Sequence, residues 1–98
     1  MTKEDLKKLL ESKEGNMSDE AYTVLQNIMN EYDLNDEDDF RTALDEQLSN
    51  QFTYYSDAFD FLQKQCITDY SEAIAEYGAK TLMEFAYYYL EDEIYNII

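Results

Sequence analysis

The sequence predicts an all-α fold, a compact single domain of five to six helices joined by short loops. Apolar residues recur at spacings of three and four, which is the period of one face of an α-helix. Proline is absent, and residues that typically cap helices precede most of the apolar runs. An apolar fraction of 45% with 15% aromatic residues distinguishes the chain from a disordered acidic tail, so we expect residues 1–98 to fold.

The first two helices have clear boundaries in the sequence. Thr2 and Asp5 suit the start of a first helix over residues 2–13, and Gly15 suits the turn after its end. Ser18 predicts the N-cap of a second helix that continues to about Glu31. The inward positions of these two helices are Leu6, Leu9, Leu10, Ala21, Val24, Leu25, Ile28, Met29 and Tyr32.

Three further helices follow at shorter intervals. Asn35 predicts the N-cap of the third helix, and residues 50–56 are interpreted as the boundary before the fourth, which ends near Cys66. Either Thr68 or Asp69 suits the N-cap of the fifth helix. The inward positions of the third helix are Phe40, Ala43, Leu44, Leu48 and Phe52. The apolar residues that define the fourth and fifth helices are Ala58, Phe59, Phe61, Leu62, Tyr70, Ala73, Ile74 and Tyr77.

The last helix, Thr81 to Ile98, has the strongest apolar period and is predicted to pack through the core. Gly78 suits the turn before it, and Thr81 with Glu84 matches the T-x-x-E capping box. The inward face is Leu82, Phe85, Ala86, Tyr89, Leu90, Glu93, Ile94 and Ile97, of which only Glu93 is not apolar. The three consecutive acids that end with Glu93 lie at the negative end of the helix dipole, so local helix stability does not explain them.

Charge is the most unusual property of the sequence. The chain carries 23 acidic and 7 basic residues, a net charge of −16, whereas a small domain needs a magnitude of only roughly 2 to 8 for solubility. Residues 1–14 hold four lysines and four acids and form a charge-neutral N-terminal helix. The whole net charge therefore belongs to a strongly acidic body, residues 15–98.

Composition also bears on location. Cys66 is the only cysteine, so no internal disulfide is expected, and we interpret it as a small buried apolar residue. The sequence has no apolar run of roughly 18 residues and no signal-peptide core. We expect a cytoplasmic protein that anionic membrane surfaces would repel.

Enzymatic and metal-binding functions are poorly supported. The chain has no histidine, and two glycines cannot form a phosphate-binding glycine-rich loop. An EF-hand loop starting at Asp33 fails because Asp38 replaces the required glycine and Leu44 replaces the final glutamate. We therefore expect no catalytic residue, no metal and no cofactor.

Rows of carboxylates suggest binding to a basic partner. Acids recur three, four or seven residues apart along predicted helices with almost no lysine or arginine between them, although such pairs destabilise a helix by a few tenths of a kcal/mol. Because duplex DNA carries about one charge per 1.7 Å of axis, rigid rows of carboxylates can imitate its field. The candidate phosphate mimics are Asp57, Asp60, Asp69, Glu72, Glu76, Glu84, Glu91 and Asp92. Acidity selected for solubility remains the alternative.

Tyrosines are the second candidate contact surface. Three successive residues of a helix point about 100° apart, so Tyr89 can face the core while Tyr87 or Tyr88 turns outward. Tyr54, Tyr87 and Tyr88 are candidates for contact with a partner, since tyrosine is favoured at interfaces, although partial burial explains them equally well. The alternative function is thus an acidic adaptor or assembly protein that binds through Tyr87, Tyr88, Tyr95 and Ile98. Apolar residues at the C-terminus also allow a homodimer.

Two stretches carry a resemblance to known proteins. The pattern Asp39-Phe40-x-x-Ala43-Leu44, followed by Tyr54-Tyr55-x-Asp57, resembles the Ocr-type antirestriction proteins of bacteriophages, which are small, acidic, all-helical DNA mimics. The stretch from Tyr54 to Ala79 is similar to small acidic proteins of phages and mobile elements. The resemblance implies an inhibitor of a host restriction or CRISPR nuclease, acting in the host cytoplasm without binding nucleic acid itself.

Overall fold

The computed structural model describes residues 1–67 and 69–98, and these residues form six α-helices and no strand. The helices are α1 (Lys3–Lys13), α2 (Asp19–Glu31), α3 (Glu37–Gln51), α4 (Tyr55–Lys64), α5 (Tyr70–Glu76) and α6 (Leu82–Ile97). The predicted all-α fold is confirmed. Helix α6 packs against α2, α3, α4 and α5, whereas α1 packs mainly on α2.

The periodic apolar positions form one continuous core. Its largest fully buried side chains include Phe61, Phe85, Leu25, Leu44 and Leu90, which come from α2, α3, α4 and α6. Helix α5 contributes no fully buried residue, and it is held instead by aromatic contacts. These join the Tyr70 ring to Phe59 and the Tyr77 ring to Phe85, with centroids 5.9 and 5.1 Å apart. Among the described helices, none is long and apolar enough to cross a membrane.

The predicted N-caps are confirmed for the first two helices, and that of the third is wrong by one residue. Ser18 caps α2, and Thr2 and Asp5 form both bonds of a capping box, each 3.1 Å long. The cap of α3 is Asp36 rather than Asn35, because its carboxylate accepts the N–H of Asp39 at 3.0 Å. The Asp39 carboxylate reaches back to the N–H groups of residues 35 and 36, which places the helix start after Asp36.

The start of α6 is confirmed only in part. The Thr81 hydroxyl accepts the N–H of Glu84 at 3.0 Å, as predicted. The reciprocal bond of the capping box is wrong, because the Glu84 carboxylate lies beside the Tyr88 hydroxyl instead. The hydrogen bond to Glu84 and the charge of that carboxylate raise the pKa of Tyr88.

The predicted turns at glycine are confirmed, since Gly15 and Gly78 adopt positive φ angles of 84° and 70°. The Asp69 carboxylate accepts the N–H of Glu72 at 3.2 Å and caps α5. The alternative cap, Thr68, lies outside the described residues.

The prediction of a buried Cys66 is wrong. Cys66 is exposed and adopts a φ of 63°, a conformation usually taken by glycine, at the end of α4. Its N–H bonds the carbonyl of Gln63, and the N–H of Ile67 bonds that of Leu62, which completes a Schellman motif. Ile67 packs against the core after this turn. The position thus serves the chain reversal rather than the core.

Glu93 has a structural function that its helix alone does not show. Its carboxylate accepts the backbone N–H and the hydroxyl of Ser18, both at 2.7 Å, across 75 residues of chain. These charge-assisted bonds satisfy a group at the N-terminus of α2, where a negative charge is favourable. Local helix stability does not explain the acids of this segment, and for Glu93 this tertiary contact supplies the structural explanation instead.

We expect Glu93→Ala to lower the free energy of unfolding by about 2 kcal/mol, because both bonds to Ser18 are charge-assisted and partly buried. Urea unfolding at pH 7 measures this value, and a double-mutant cycle with Ser18→Ala isolates the pair. The control is Glu46→Ala, which removes the same charge from an exposed position of α3. An equal loss for Glu46→Ala, or no coupling in the cycle, would contradict the assignment.

Candidate functional site

Helices α3 and α6 line an open groove of about 630 Å³, which we call the α3/α6 groove. Its apolar lining is Leu48, Phe52 and Met83, and its polar lining includes Glu84, Tyr87, Tyr88 and Glu91. The groove brings together four residues that the sequence singled out. They share one side of α6 because positions 84, 87, 88 and 91 follow the helical period.

Tyr87 joins the two walls of the groove. Its hydroxyl donates a hydrogen bond of 2.9 Å to the Asp45 carboxylate of α3. Partial burial and this acceptor both raise the pKa of Tyr87, so the ring stays a neutral donor. All three tyrosines from 87 to 89 are half-buried, and Tyr89 packs edge-on against Phe61 and Phe85. Tyr87 is therefore a tertiary contact whose outer surface lines the groove.

The carboxylates of the groove lack a basic partner. Partial burial raises the pKa of Glu91, and the nearby charges of Asp45 and Asp92 add to the shift. Within residues 1–67 and 69–98, the two ion pairs are Lys3 with Asp33 and Lys64 with Glu20, and neither involves the groove. Sequence reasoning missed Asp45, because only the packing of α3 on α6 brings it beside Glu91.

Asp92 lies on another side of α6. It lines a cavity of about 340 Å³ together with Tyr77 and Tyr89. Burial raises the pKa of Tyr77, and the charge and hydrogen bond of Asp92 contribute further. Adjacent positions on a helix point in different directions, so Glu91 and Asp92 belong to separate surfaces.

Two of the predicted phosphate mimics also begin helices. The Asp57 carboxylate accepts the backbone N–H of Tyr54 at 3.3 Å, next to α4, and Asp69 caps α5. Their charges favour the positive ends of these helices, which gives both residues a structural function. The Tyr54 side chain itself is 70% exposed.

The remaining three predicted mimics, Asp60, Glu72 and Glu76, are exposed on α4 and α5. The cation near Asp60 is Lys64. The hydrogen bond of Lys64 to Glu20 raises its pKa, and the negative charges of Asp19 and Asp60 add to this shift. The eight predicted carboxylates are thus spread over four places. These are the α3/α6 groove, the cavity that Asp92 lines, two helix starts, and the exposed faces of α4 and α5.

Metal binding has no support in the described part of the chain, where no group of three or more His, Cys, Asp or Glu side chains is placed to hold an ion. Comparisons with protein-family models, with curated proteins and with solved structures find no match to this chain.

We expect acidification from pH 7 toward the ordinary carboxyl pKa of 4.5 to stabilise the fold through Glu91. Because the pKa of Glu91 is raised on folding, the folded state binds its proton more tightly than the unfolded chain. The unfavourable contribution of its charge is complete above the folded pKa, and it fades as the pH falls from that raised value to the lower pKa of the unfolded chain. Urea unfolding across this pH range measures the effect.

The Glu91→Gln variant should be more stable than wild type at pH 7 by a few tenths to about 1 kcal/mol, and should gain less on acidification. Glu46→Gln is the control, since it removes an exposed charge from α3. Equal pH dependence in both variants would show that Glu91 has no special environment.

Proposed function

We propose that the protein inhibits a host restriction or CRISPR nuclease by occupying its basic DNA-binding cleft as an acidic mimic of DNA. The observation that carries this proposal is a net charge of −16 on a protein whose longest Cα dimension is 39 Å. Duplex DNA of that length carries about 23 charges at one per 1.7 Å. The protein therefore has about seven-tenths of the net linear charge density of DNA.

The fixed positions of the carboxylates support the same proposal. Most of them lie on capped helices that a continuous apolar core holds together, so a binding partner need not order them. A preorganised surface has a smaller entropic cost of association than a disordered acidic tail. In this respect the protein differs from a simple polyanion.

Basic residues are also unevenly distributed. Four of the seven lie in residues 1–14, at α1, and α2 carries none. The other three are Arg41 in α3, Lys64 in α4 and Lys80 in the turn before α6. This distribution argues against α1, and we assign the partner-binding surface to α4–α6 with their caps, because these segments carry the eight candidate carboxylates. A phage or mobile-element origin is part of the proposal and depends on the resemblance described above.

A second candidate function, an acidic adaptor, is favoured by one observation. The α3/α6 groove presents Tyr87 and Tyr88 above an apolar lining, and Tyr95 and Ile98 are 46% and 45% exposed. Such surfaces bury apolar area against a partner, and this contribution persists at high salt. A homodimer through Tyr95 and Ile98 belongs to the same proposal.

We expect removal of three exposed charges from α4 and α5 to weaken nuclease inhibition about tenfold, because each lost contact reduces the electrostatic contribution to binding. The variant is Asp60→Asn, Glu72→Gln and Glu76→Gln, which spares the capping residues Asp57 and Asp69. DNA cleavage by a panel of purified restriction and CRISPR nucleases, with the protein titrated at 50 and 200 mM salt, provides the measurement.

The matched control is Glu4→Gln, Glu11→Gln and Glu14→Gln, which changes the net charge equally in the neutral segment. We expect this control to retain inhibition within about threefold. If both triple variants lose inhibition equally, the loss depends on net charge alone and not on the surface of α4 and α5. Inhibition that survives 200 mM salt and is lost in Tyr87→Ala with Tyr88→Ser would favour the adaptor instead.

A further inference from the structure

We infer that a row of three aromatic rings on α4 and α5 is the place where the basic partner anchors, with an arginine side chain stacked on the outermost ring. The rings belong to Tyr55, Phe59 and Tyr70, which we call the aromatic ridge. This inference rests on the proposed function, because the ridge lies on helices that carry the charges assigned to partner binding. It goes further by assigning the contact to uncharged side chains and by naming the group that they hold.

The three rings of the ridge pack against one another in a row. The ring of Tyr55 stacks on that of Phe59, with centroids 6.4 Å apart and planes 20° apart. Phe59 also packs against Tyr70, with centroids 5.9 Å apart, so its ring lies in the middle of the row. Residues 55 and 59 share one side of α4 because they are four positions apart. The ridge therefore joins the two helices through one continuous aromatic surface.

The exposure of the ridge increases from the core outward. Phe59 and Tyr70 are half-buried and pack against the hydrophobic core, whereas Tyr55 is 62% exposed. Burial thus accounts for the two inner rings but not for the outer one. Stacking on Phe59 restricts the orientation of the Tyr55 ring while most of its surface stays open to solvent. A ring held in this way offers contact area at a low cost in conformational entropy.

The charge around the ridge determines the kind of partner that fits it. Residues 54–63 and 69–76, which include the whole ridge, contain five acids and no lysine or arginine. A second copy of the protein would bring these acids against one another, and an anionic membrane or a nucleic acid would also be repelled. A positively charged protein surface is complementary to the acids and can also pack on the rings.

Arginine is the basic side chain that suits this surface best. Its guanidinium is flat and less strongly hydrated than an ammonium group, so it can stack on an aromatic face. Its N–H groups remain free at the edge of the plane to bond a carboxylate or water. Such carboxylates are available on both sides of the ridge, since Asp60 follows Phe59 and Asp69 precedes Tyr70 in the sequence. Lysine would lose more hydration in the same contact.

The first test uses hexa-arginine as the probe and hexa-lysine as its comparison, at equal ionic strength. Chemical-shift changes in ¹⁵N-labelled protein locate the binding, and a titration gives the affinity. We expect hexa-arginine to bind about threefold more tightly than hexa-lysine, with the largest changes at residues 55, 59 and 70. Equal affinity for the two peptides, or changes spread evenly over the exposed carboxylates, would overturn the inference.

Uncharged substitutions separate the effect of the ring from that of net charge. Tyr55→Leu removes the aromatic face and should weaken hexa-arginine binding about threefold, whereas Tyr55→Phe keeps the face and should retain it. Tyr95→Leu is the matched control, because Tyr95 is 46% exposed but lies on α6 and lines a different cavity with Phe40 and Arg41. The spectra of each variant confirm that it is folded. An equal loss in Tyr55→Phe or in Tyr95→Leu would overturn the inference.

The same spectra test the other occupants of an exposed aromatic surface. Changes at the ridge that grow with protein concentration alone would assign it to a second copy of the chain. Changes produced by phosphatidylcholine vesicles would assign it to a lipid surface. Either result would overturn the inference, and we expect the ridge signals to stay constant in both experiments.

The nuclease assay separates this inference from the proposed function. We expect Tyr55→Leu to weaken inhibition about threefold and Tyr95→Leu to leave it unchanged. If Tyr55→Leu inhibits as well as the wild type, the ridge contact is wrong even where DNA mimicry holds. If hexa-arginine binds the ridge as expected but no nuclease is inhibited, the ridge contact stands and the proposed function fails.

Discussion

Repulsion among carboxylates is the constraint to which the rest of the structure responds. A net charge of −16 within Cα dimensions of 39 × 25 × 21 Å opposes the compact state. The fold offsets part of this cost by using acids as helix caps. Carboxylates of Asp5, Asp39, Asp57 and Glu93 each accept a backbone N–H at or beside a helix start. The apolar core supplies the remaining stability, and acids outside these positions are left for the surface.

Helix α6 connects this scaffold to the candidate site. Its inner face packs against four other helices, and Glu93 on that face fixes the start of α2 through Ser18. Its other sides carry the acids and tyrosines of the α3/α6 groove. The same helix therefore positions the surface charge and holds the core together, so changes at the groove can be tested without removing the contact at Glu93.

Much of the fold follows from the sequence because apolar period and capping chemistry are local properties. The cap of α3 was misplaced because both Asn35 and Asp36 can cap a helix, and the side chain of Asp39 decides between them. The predicted burial of Cys66 is wrong because residue type does not reveal that this position has a positive φ and forms an exposed turn. Within the site, Glu84 and Glu91 were predictable from their spacing on one helix. The position of Asp45 near Glu91 and the function of Glu93 depend on tertiary packing, which spacing along the chain does not encode.

Displacement by DNA tests the central claim of mimicry most directly. The immobilised protein is exposed to a bacterial lysate at about 0.1 M salt, where exposed charges act over about 10 Å. Retained proteins are then eluted at constant ionic strength with short duplex DNA or, as a control, with polyglutamate of equal charge. Mimicry predicts that DNA-binding nucleases are released by DNA at lower concentration than by polyglutamate. Partners that remain bound in excess DNA and resist 1 M salt would contradict it.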